Sequence, residues 1–171
     1  AINLLCTTKY NGNVVSPTNL VWTCPALPSA IINGTQFDPH EAAPTGGTFV
    51  VYAYSEYNGC STTDSTTVQI NPLPVVSAGN DKVFCENVGS VLLDTMANPF
   101  NVKFGIWSIL SPSTPASALT TTNNPPGYSY FFNTSVAGVG NHELIYKYKD
   151  LVTNCENTDT VLFQIIPIPV A

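Results

Sequence analysis

Residues 60–76 read CSTTDSTTVQINPLPVV, and residues 155–171 read CENTDTVLFQIIPIPVA. The two stretches superpose without a gap, matching Cys60 with Cys155, Asp64 with Asp159, Gln69 with Gln164, and Pro72 and Pro74 with Pro167 and Pro169. The chain therefore contains an internal repeat, and each assignment has to hold twice. Within the first stretch Val68 and Ile70 fall on one side of a period of two, with Ser65, Thr67 and Gln69 on the other. Val161, Phe163 and Ile165 repeat the apolar side, and this alternation is that of a β-strand with one buried face. The Pro-x-Pro that follows cannot join a central ladder and holds the backbone extended, so it reads as a semi-rigid joint between units. Leu73 and Val75, the apolar residues of that joint, are expected to pack on the flanking units.

Working outward, further features recur in order. Cys6 precedes Trp22 as Cys85 precedes Trp107, Phe37-Asp38 matches Phe132-Asn133, and FVVYAY (49–54) matches ELIYKY (143–148). The first cysteines are 79 positions apart and the second 95, which places a 16-residue insertion in the second unit, near the Ser-, Thr-, Pro- and Asn-rich stretch 111–127. Strand-forming segments rich in β-branched and aromatic residues, such as KFGIWSIL, YSYFFNTS and HELIYKYKD, are bounded by Gly, Pro, Asn and Ser. About seven short strands in each ~80–95 residues read as an all-β fold of two tandem immunoglobulin-like β-sandwich domains joined by a Pro-rich linker. The expected domains are 1–72, with its lead-in strand truncated, and 73–171, with Trp22 and Trp107 in the two cores. The C-terminal PIPVA reads as the start of a further linker, so the chain is expected to be a piece of something longer.

Composition narrows the function. The chain has 171 residues, 44% apolar and only 9% charged, as a core-building sequence should. Its net charge is −6, its five cations are all Lys, and it has no Arg. Without guanidinium groups or a basic patch, nucleic-acid partners are excluded and anionic lipid is disfavoured. No apolar run approaches the ~20 residues of a membrane helix, so no membrane insertion is expected.

Five cysteines, four of them in repeat-related places, suggest one disulfide per unit, Cys6–Cys60 and Cys85–Cys155. Each would close a loop worth about 4 kcal/mol in unfolded-state entropy. Cys24, two residues after Trp22, remains as a buried free thiol, and a Cys6–Cys24 pair is the rival reading; five unpaired thiols is the other. His40 and His142 have no metal-ligand spacing and read as surface residues. No phosphate loop, nucleophile elbow or paired-carboxylate motif is present, so no enzyme is expected. Asn80 and Asp81 read as a turn-forming pair, with Ca²⁺ as the alternative. Tyr54, Tyr57, Tyr128 and Tyr130 are the aromatics that could stack on sugar rings, Tyr128 and Tyr130 being the candidate ligand contacts, against a reading as core or cross-strand pairs.

The order of proline linker, Ala-Gly-x-Asp, Cys, Trp strand, Tyr-bearing strand and Asn/Gly-Cys with Thr-x-Asp resembles the tandem Ig-like, PKD-like repeats of giant Bacteroidetes cell-surface proteins. These include the gliding-motility adhesins exported by type IX secretion. The resemblance is carried by LPVVSAGNDKVFCENVGSVLL (73–93) and NGCSTTDSTTVQINPLP (58–74). It implies an extracellular, cell-surface filament of repeats serving adhesion or gliding, whose partners are neighbouring repeats and surface glycans or substratum. The alternatives are a glycan-binding module or the spacer of a secreted enzyme. The same resemblance implies O-glycans at Asp-Ser/Thr sites, here Ser65, Thr95 and Thr160. The insertion 111–127 is the candidate adhesive loop.

Overall fold

The structure is a computed structural model that describes residues 1–42, 45–101 and 103–169. It is all-β apart from short 3-10 segments and one helical turn, and it divides into two compact units, Ala1–Leu73 and Pro74–Ala171. The last two residues of PIPVA lie outside the described residues.

Among its described residues unit 1 contains eight strands, β1 (Ile2–Asn3), β2 (Thr8–Tyr10), β3 (Asn13–Val15), β4 (Asn19–Thr23), β5 (Ile31–Ile32), β6 (Gln36–Phe37), β7 (Gly47–Tyr57) and β8 (Cys60–Ile70). They form the sheets β1-β6-β5 and β4-β7-β8 and the separate hairpin β2-β3. Three of the turns are Asn-Gly pairs, Asn11-Gly12, Asn33-Gly34 and Asn58-Gly59, with both residues at positive φ. That geometry matches the strand twist of a two-residue hairpin and is accessible to Asn and Gly at little cost. The two sheets meet at a core of Trp22, Cys24, Ala30, Phe37, Val51 and Ala53, and Phe37 and Phe49 pack across it at 6.3 Å between ring centres.

Unit 2 contains β9 (Lys82–Cys85), β10 (Ser90–Leu92), β11 (Gly105–Ile109), β12 (Leu119–Asn124), β13 (Gly127–Asn133), β14 (Gly140–Lys149) and β15 (Glu156–Ile166). The sheets are β10-β13-β12 and β11-β14-β15-β9, with β9 running parallel to β15. Leu93, Phe132 and Ala118 from one side meet Trp107, Leu144, Tyr146, Val161, Phe163 and Ile165 from the other. This pairing of two sheets, antiparallel but for β9, over one apolar layer is that of an immunoglobulin-like sandwich.

The strand pairings give the repeat its register. Ile2 pairs with Phe37 as Val91 pairs with Phe132, and Trp22 pairs with Ala53 as Trp107 pairs with Tyr146. Three expectations change as a result. Cys6 follows β1 and corresponds to Thr95, not to Cys85, which ends the lead-in strand β9. Trp107 follows Trp22 by 85 positions and Phe132 follows Phe37 by 95, so the extra length of unit 2 between these strands is ten residues, not sixteen. FVVYAY aligns one residue away from ELIYKY, with Val51 on Leu144 and Ala53 on Tyr146. A slip of one position would turn every side chain to the opposite face.

The expected disulfides are absent, and all five cysteines are free thiols. In unit 2 the register gives the reason. Cys85 lies opposite Ile166, whereas Cys155 precedes Glu156 at the other end of the same strand. Glu156 and Ile166 stand ten positions apart on β15, roughly 33 Å at about 3.3 Å per residue. A bridge needs Cα atoms within about 7 Å. In unit 1, Cys6 lines a recess beside Asp64, Ser65 and Thr66, well along β8 from Cys60. Cys24 is buried as expected, and it too is unpaired.

His142 is also corrected. It is 4% exposed, inside β14, and not a surface residue. Its Nδ1 lies 2.7 Å from the Thr114 hydroxyl and its Nε2 2.9 Å from the Gly138 carbonyl. The carbonyl can only accept, so Nε2 donates to it, and the Thr114 hydroxyl is the partner of Nδ1. The hydroxyl of Ser111 accepts the Glu143 amide at 2.7 Å, and Ala118 is fully buried. Much of the 111–127 stretch is thus tied into the sandwich. In the joint, Leu73 is 40% exposed and Val75 91% exposed.

Candidate functional site

The outer face of the sheet β4-β7-β8 is the surface of unit 1 best suited to contact a ligand. Alternation along β7 turns Val51, Ala53 and Ser55 inward, where each is at most 5% exposed. The intervening residues Val50, Tyr52 and Tyr54 must then face outward. Tyr52 is 37% exposed and lies opposite Ser65; Tyr54 lies opposite Thr63 on one side and Val21 on the other. Thr67, opposite Val50, extends the hydroxyl row of Thr63 and Ser65 along β8. The Tyr54 hydroxyl reaches the Glu56 carboxylate at 3.4 Å. The result is two phenol rings two positions apart on one strand, bordered by a row of hydroxyls on the next. Such a surface offers apolar ring faces and nearby donors and acceptors without a deep pocket.

The corresponding face of unit 2 differs. Ile145 and Lys147 replace Tyr52 and Tyr54, opposite Thr160 and Thr158. Lys147 forms an ion pair with Glu156, whose carboxyl is held below its usual range first by the hydrogen bond from Lys147.

The other anticipated residues are dispersed. Tyr57 packs with Tyr10, ring centres 5.3 Å apart, at the end of unit 1 where the Thr8 and Ser55 hydroxyls meet at 2.7 Å. Tyr128 is 55% exposed at the β12–β13 hairpin. Tyr130, two residues on, packs against the core of unit 2, and burial, reinforced by Tyr128 and Asp94, raises its pKa. Only Tyr128 of that pair is open to a ligand. Ser65, Thr95 and Thr160 are all exposed, so each hydroxyl is accessible to modification. His40 is exposed in a 3-10 turn. Asp81 accepts the Leu162 amide at 2.9 Å, which engages one of its oxygens in holding β15. No group of three or more His, Cys, Asp or Glu side chains converges among the described residues. Among them, too, no helix is long and apolar enough to cross a membrane.

Tyr52 was missed in the sequence, although it stands two residues before Tyr54. Tyr52 and Tyr54 share one side of the period of two along β7, so alternation is the signal that finds the first from the second.

No protein-family profile and no curated protein matches this sequence. Among solved structures the chain is similar to a SusE-like, surface-located polysaccharide-binding protein from the Bacteroides thetaiotaomicron heparin utilisation locus, at 12% identity and a TM-score of 0.44, over 92% of this chain and 30% of that one. It is also similar to an endo-fucoidan hydrolase of glycoside hydrolase family 107, at 13% identity and a TM-score of 0.33, over 88% of this chain and 24% of that one. The chain spans less than a third of the length of either structure.

Proposed function

We propose that this chain is an adhesive module of an extracellular bacterial surface protein, one that holds polysaccharide on an open sheet face and performs no catalysis. The observation that carries the reading is the Tyr52–Tyr54 pair on the outer face of β7, beside the hydroxyls of Thr63, Ser65 and Thr67. A pyranose ring presents C–H groups on its faces and hydroxyls around its edge. A phenol ring flanked by hydroxyls meets both, and each contact is weak, so a polymer gains by repeating it. The acidic surface and the Pro-x-Pro joint fit a solvated, displayed array of such units. Placement on the cell surface, in a gliding or adhesion filament exported by type IX secretion, extends this reading along the repeat resemblance. Glycosylation of Ser65, directly opposite Tyr52, would cover the platform and compete with binding.

Affinity electrophoresis of the whole chain through gels carrying single polysaccharides tests the proposal. Retardation by at least one polysaccharide is expected. Tyr52→Ala with Tyr54→Ala should abolish it, while Tyr128→Ala leaves it unchanged. Loss only in Tyr128→Ala would move the site to the β12–β13 hairpin. Equal mobility of all variants in every gel would leave the chain a spacer, in a filament or beside a secreted enzyme.

A further inference from the structure

The sequence contains three Asn-Gly pairs, Asn11-Gly12, Asn33-Gly34 and Asn58-Gly59, all in unit 1 and all exposed. An asparagine followed by glycine reacts with its own chain when the two approach, because glycine has no Cβ to keep its amide nitrogen away from the carboxamide carbon. All three asparagines sit in the left-handed region, at φ of 49°, 50° and 50°, and ring closure requires them to leave it. The reaction therefore runs from a locally opened turn, and the free energy of opening sets its rate.

The three turns differ in what resists opening. Among the described residues, Asn33 alone of the three has its carboxamide hydrogen-bonded. Its Nδ2 donates to Gln36 Oε1 at 3.1 Å, and Gln36 Nε2 donates to Asn3 Oδ1 at 2.9 Å. The strand that follows, β6, is paired on both sides and buries Phe37 completely. Asn58 joins β7 to β8, whose ladder runs without a break from Tyr57–Cys60 to Gly47–Ile70. Asn11 joins β2 to β3, strands of three residues each that pair only with one another among the described residues. A two-stranded hairpin of that size is marginal by itself. The contact of the Thr8 and Ser55 hydroxyls and the packing of Tyr10 on Tyr57 tie it to the rest of unit 1, while Val14 is left 70% exposed.

We infer that Asn11-Gly12 is a self-modification site, at which the folded protein converts Asn11 to aspartate and isoaspartate without an enzyme. The Gly12 nitrogen, its proton taken by hydroxide, attacks Asn11 Cγ. The new C–N bond forms, the Cγ–Nδ2 bond breaks, and ammonia leaves. Water then opens the cyclic imide, at Cγ to give aspartate or at the main-chain carbonyl to give isoaspartate. Water is consumed and ammonia released, with no oxidation or reduction. Isoaspartate carries the main chain through the side-chain carbon, and the extra methylene breaks the two-residue turn that pairs Tyr10 with Asn13. Conversion thus loosens the hairpin.

The test is peptide mapping by mass spectrometry on the whole chain held at neutral and mildly alkaline pH, with fragmentation that separates aspartate from isoaspartate. Asn11 should convert at least about fivefold faster than Asn33 or Asn58 in the folded chain, and faster still in alkali. In denaturant that lead should shrink to within about twofold, because the turns are gone. Gly12→Ala should slow conversion of Asn11, even though a side chain at φ +81° weakens the turn. Gln36→Ala should speed Asn33 and leave Asn11 unchanged. Amide exchange across β2 and β3 should quicken in the converted chain. Equal rates at the three sites of the folded chain would overturn the inference, as would a lead for Asn33 or Asn58. So would a lead for Asn11 that survives in denaturant, since flanking sequence and not the hairpin would then set it. Unchanged exchange across β2 and β3 after conversion would overturn the loosening.

Discussion

Ala53 and Tyr146 occupy the same place, each opposite a core tryptophan on the neighbouring strand. In unit 2 the Tyr146 ring lies 4.9 Å from Trp107, passes over Gly105 and donates its hydroxyl to the Pro99 carbonyl at 2.8 Å. In unit 1 a methyl group stands there, and a recess opens beside Trp22. Strand order and register agree between the units, while the filling of the core does not. Topology is therefore set by alternation and turn chemistry, which both units possess. Core volume depends on the size of a few inward residues, such as Ala53 against Tyr146, and these differ.

The largest contrast is expected from truncating the tryptophans. Trp107→Ala removes a side chain 2% exposed that packs on the Tyr146 ring and should cost unit 2 about 3–5 kcal/mol. Trp22→Ala should cost unit 1 less, because Trp22 is 8% exposed and faces the small Ala53. Exchange rates of the β14 and β7 amides measure each unit separately; an equal loss in both would mean that the Trp107–Tyr146 packing adds nothing.

A smaller contrast comes from alkali. Burial first of all pushes the Tyr146 hydroxyl up to about 12. An unfolded tyrosine titrates near 10, so between pH ~10 and ~12 the unfolded chain loses its proton while the folded unit keeps it. Stability contributed by the neutral phenol is thus complete below pH ~10 and falls as pH rises toward ~12, by about 2–3 kcal/mol in unit 2. Ala53 has no proton to lose, so unit 1 should lack this contribution. Tyr146→Phe should remove it from unit 2, and amide exchange of β14 across that range provides the check.

The smallest effect concerns the β14–β15 turn. Unit 1 closes its equivalent hairpin with Asn58-Gly59 and no charge. Unit 2 uses Asp150, which accepts the Thr153 amide and hydroxyl and the Val152 amide. These hydrogen bonds, Thr153's first, hold its pKa below the usual carboxylate value. The turn should therefore be firm above the ordinary aspartate range and loosen as pH falls through the depressed value, whereas Asn58-Gly59 stays indifferent. Loop NMR shifts over acid pH, compared with Asp150→Asn, would reveal it; identical acid responses in both hairpins would count against the role of Asp150.

Legibility in the sequence followed the range of the interaction. The last strand of each unit was readable because its period of two is local, and Val161, Phe163 and Ile165 are indeed buried. The hairpin β2–β3 was not read, although Asn11-Gly12 signals it as plainly as Asn58-Gly59 does the next. Cysteine order was misleading, since it matches residues by type while the sheet matches them by pairing partner. His142 resembled a surface residue because its partners, Thr114 and the Gly138 carbonyl, come from a turn and a loop that no strand pattern brings together. Tyr52 shares the face of Tyr54, two positions away, and local alternation is enough to find it.

By itself, then, the sequence determined the β character, the repeat, the proline joint and the two core tryptophans. Each rests on spacing within a few residues or on exact recurrence along the chain. Only the tertiary structure decided that the cysteines stay unpaired, that His142 is buried, and which tyrosines look outward. Those depend on register between strands, and register is settled when the whole apolar face of a sheet is buried at once.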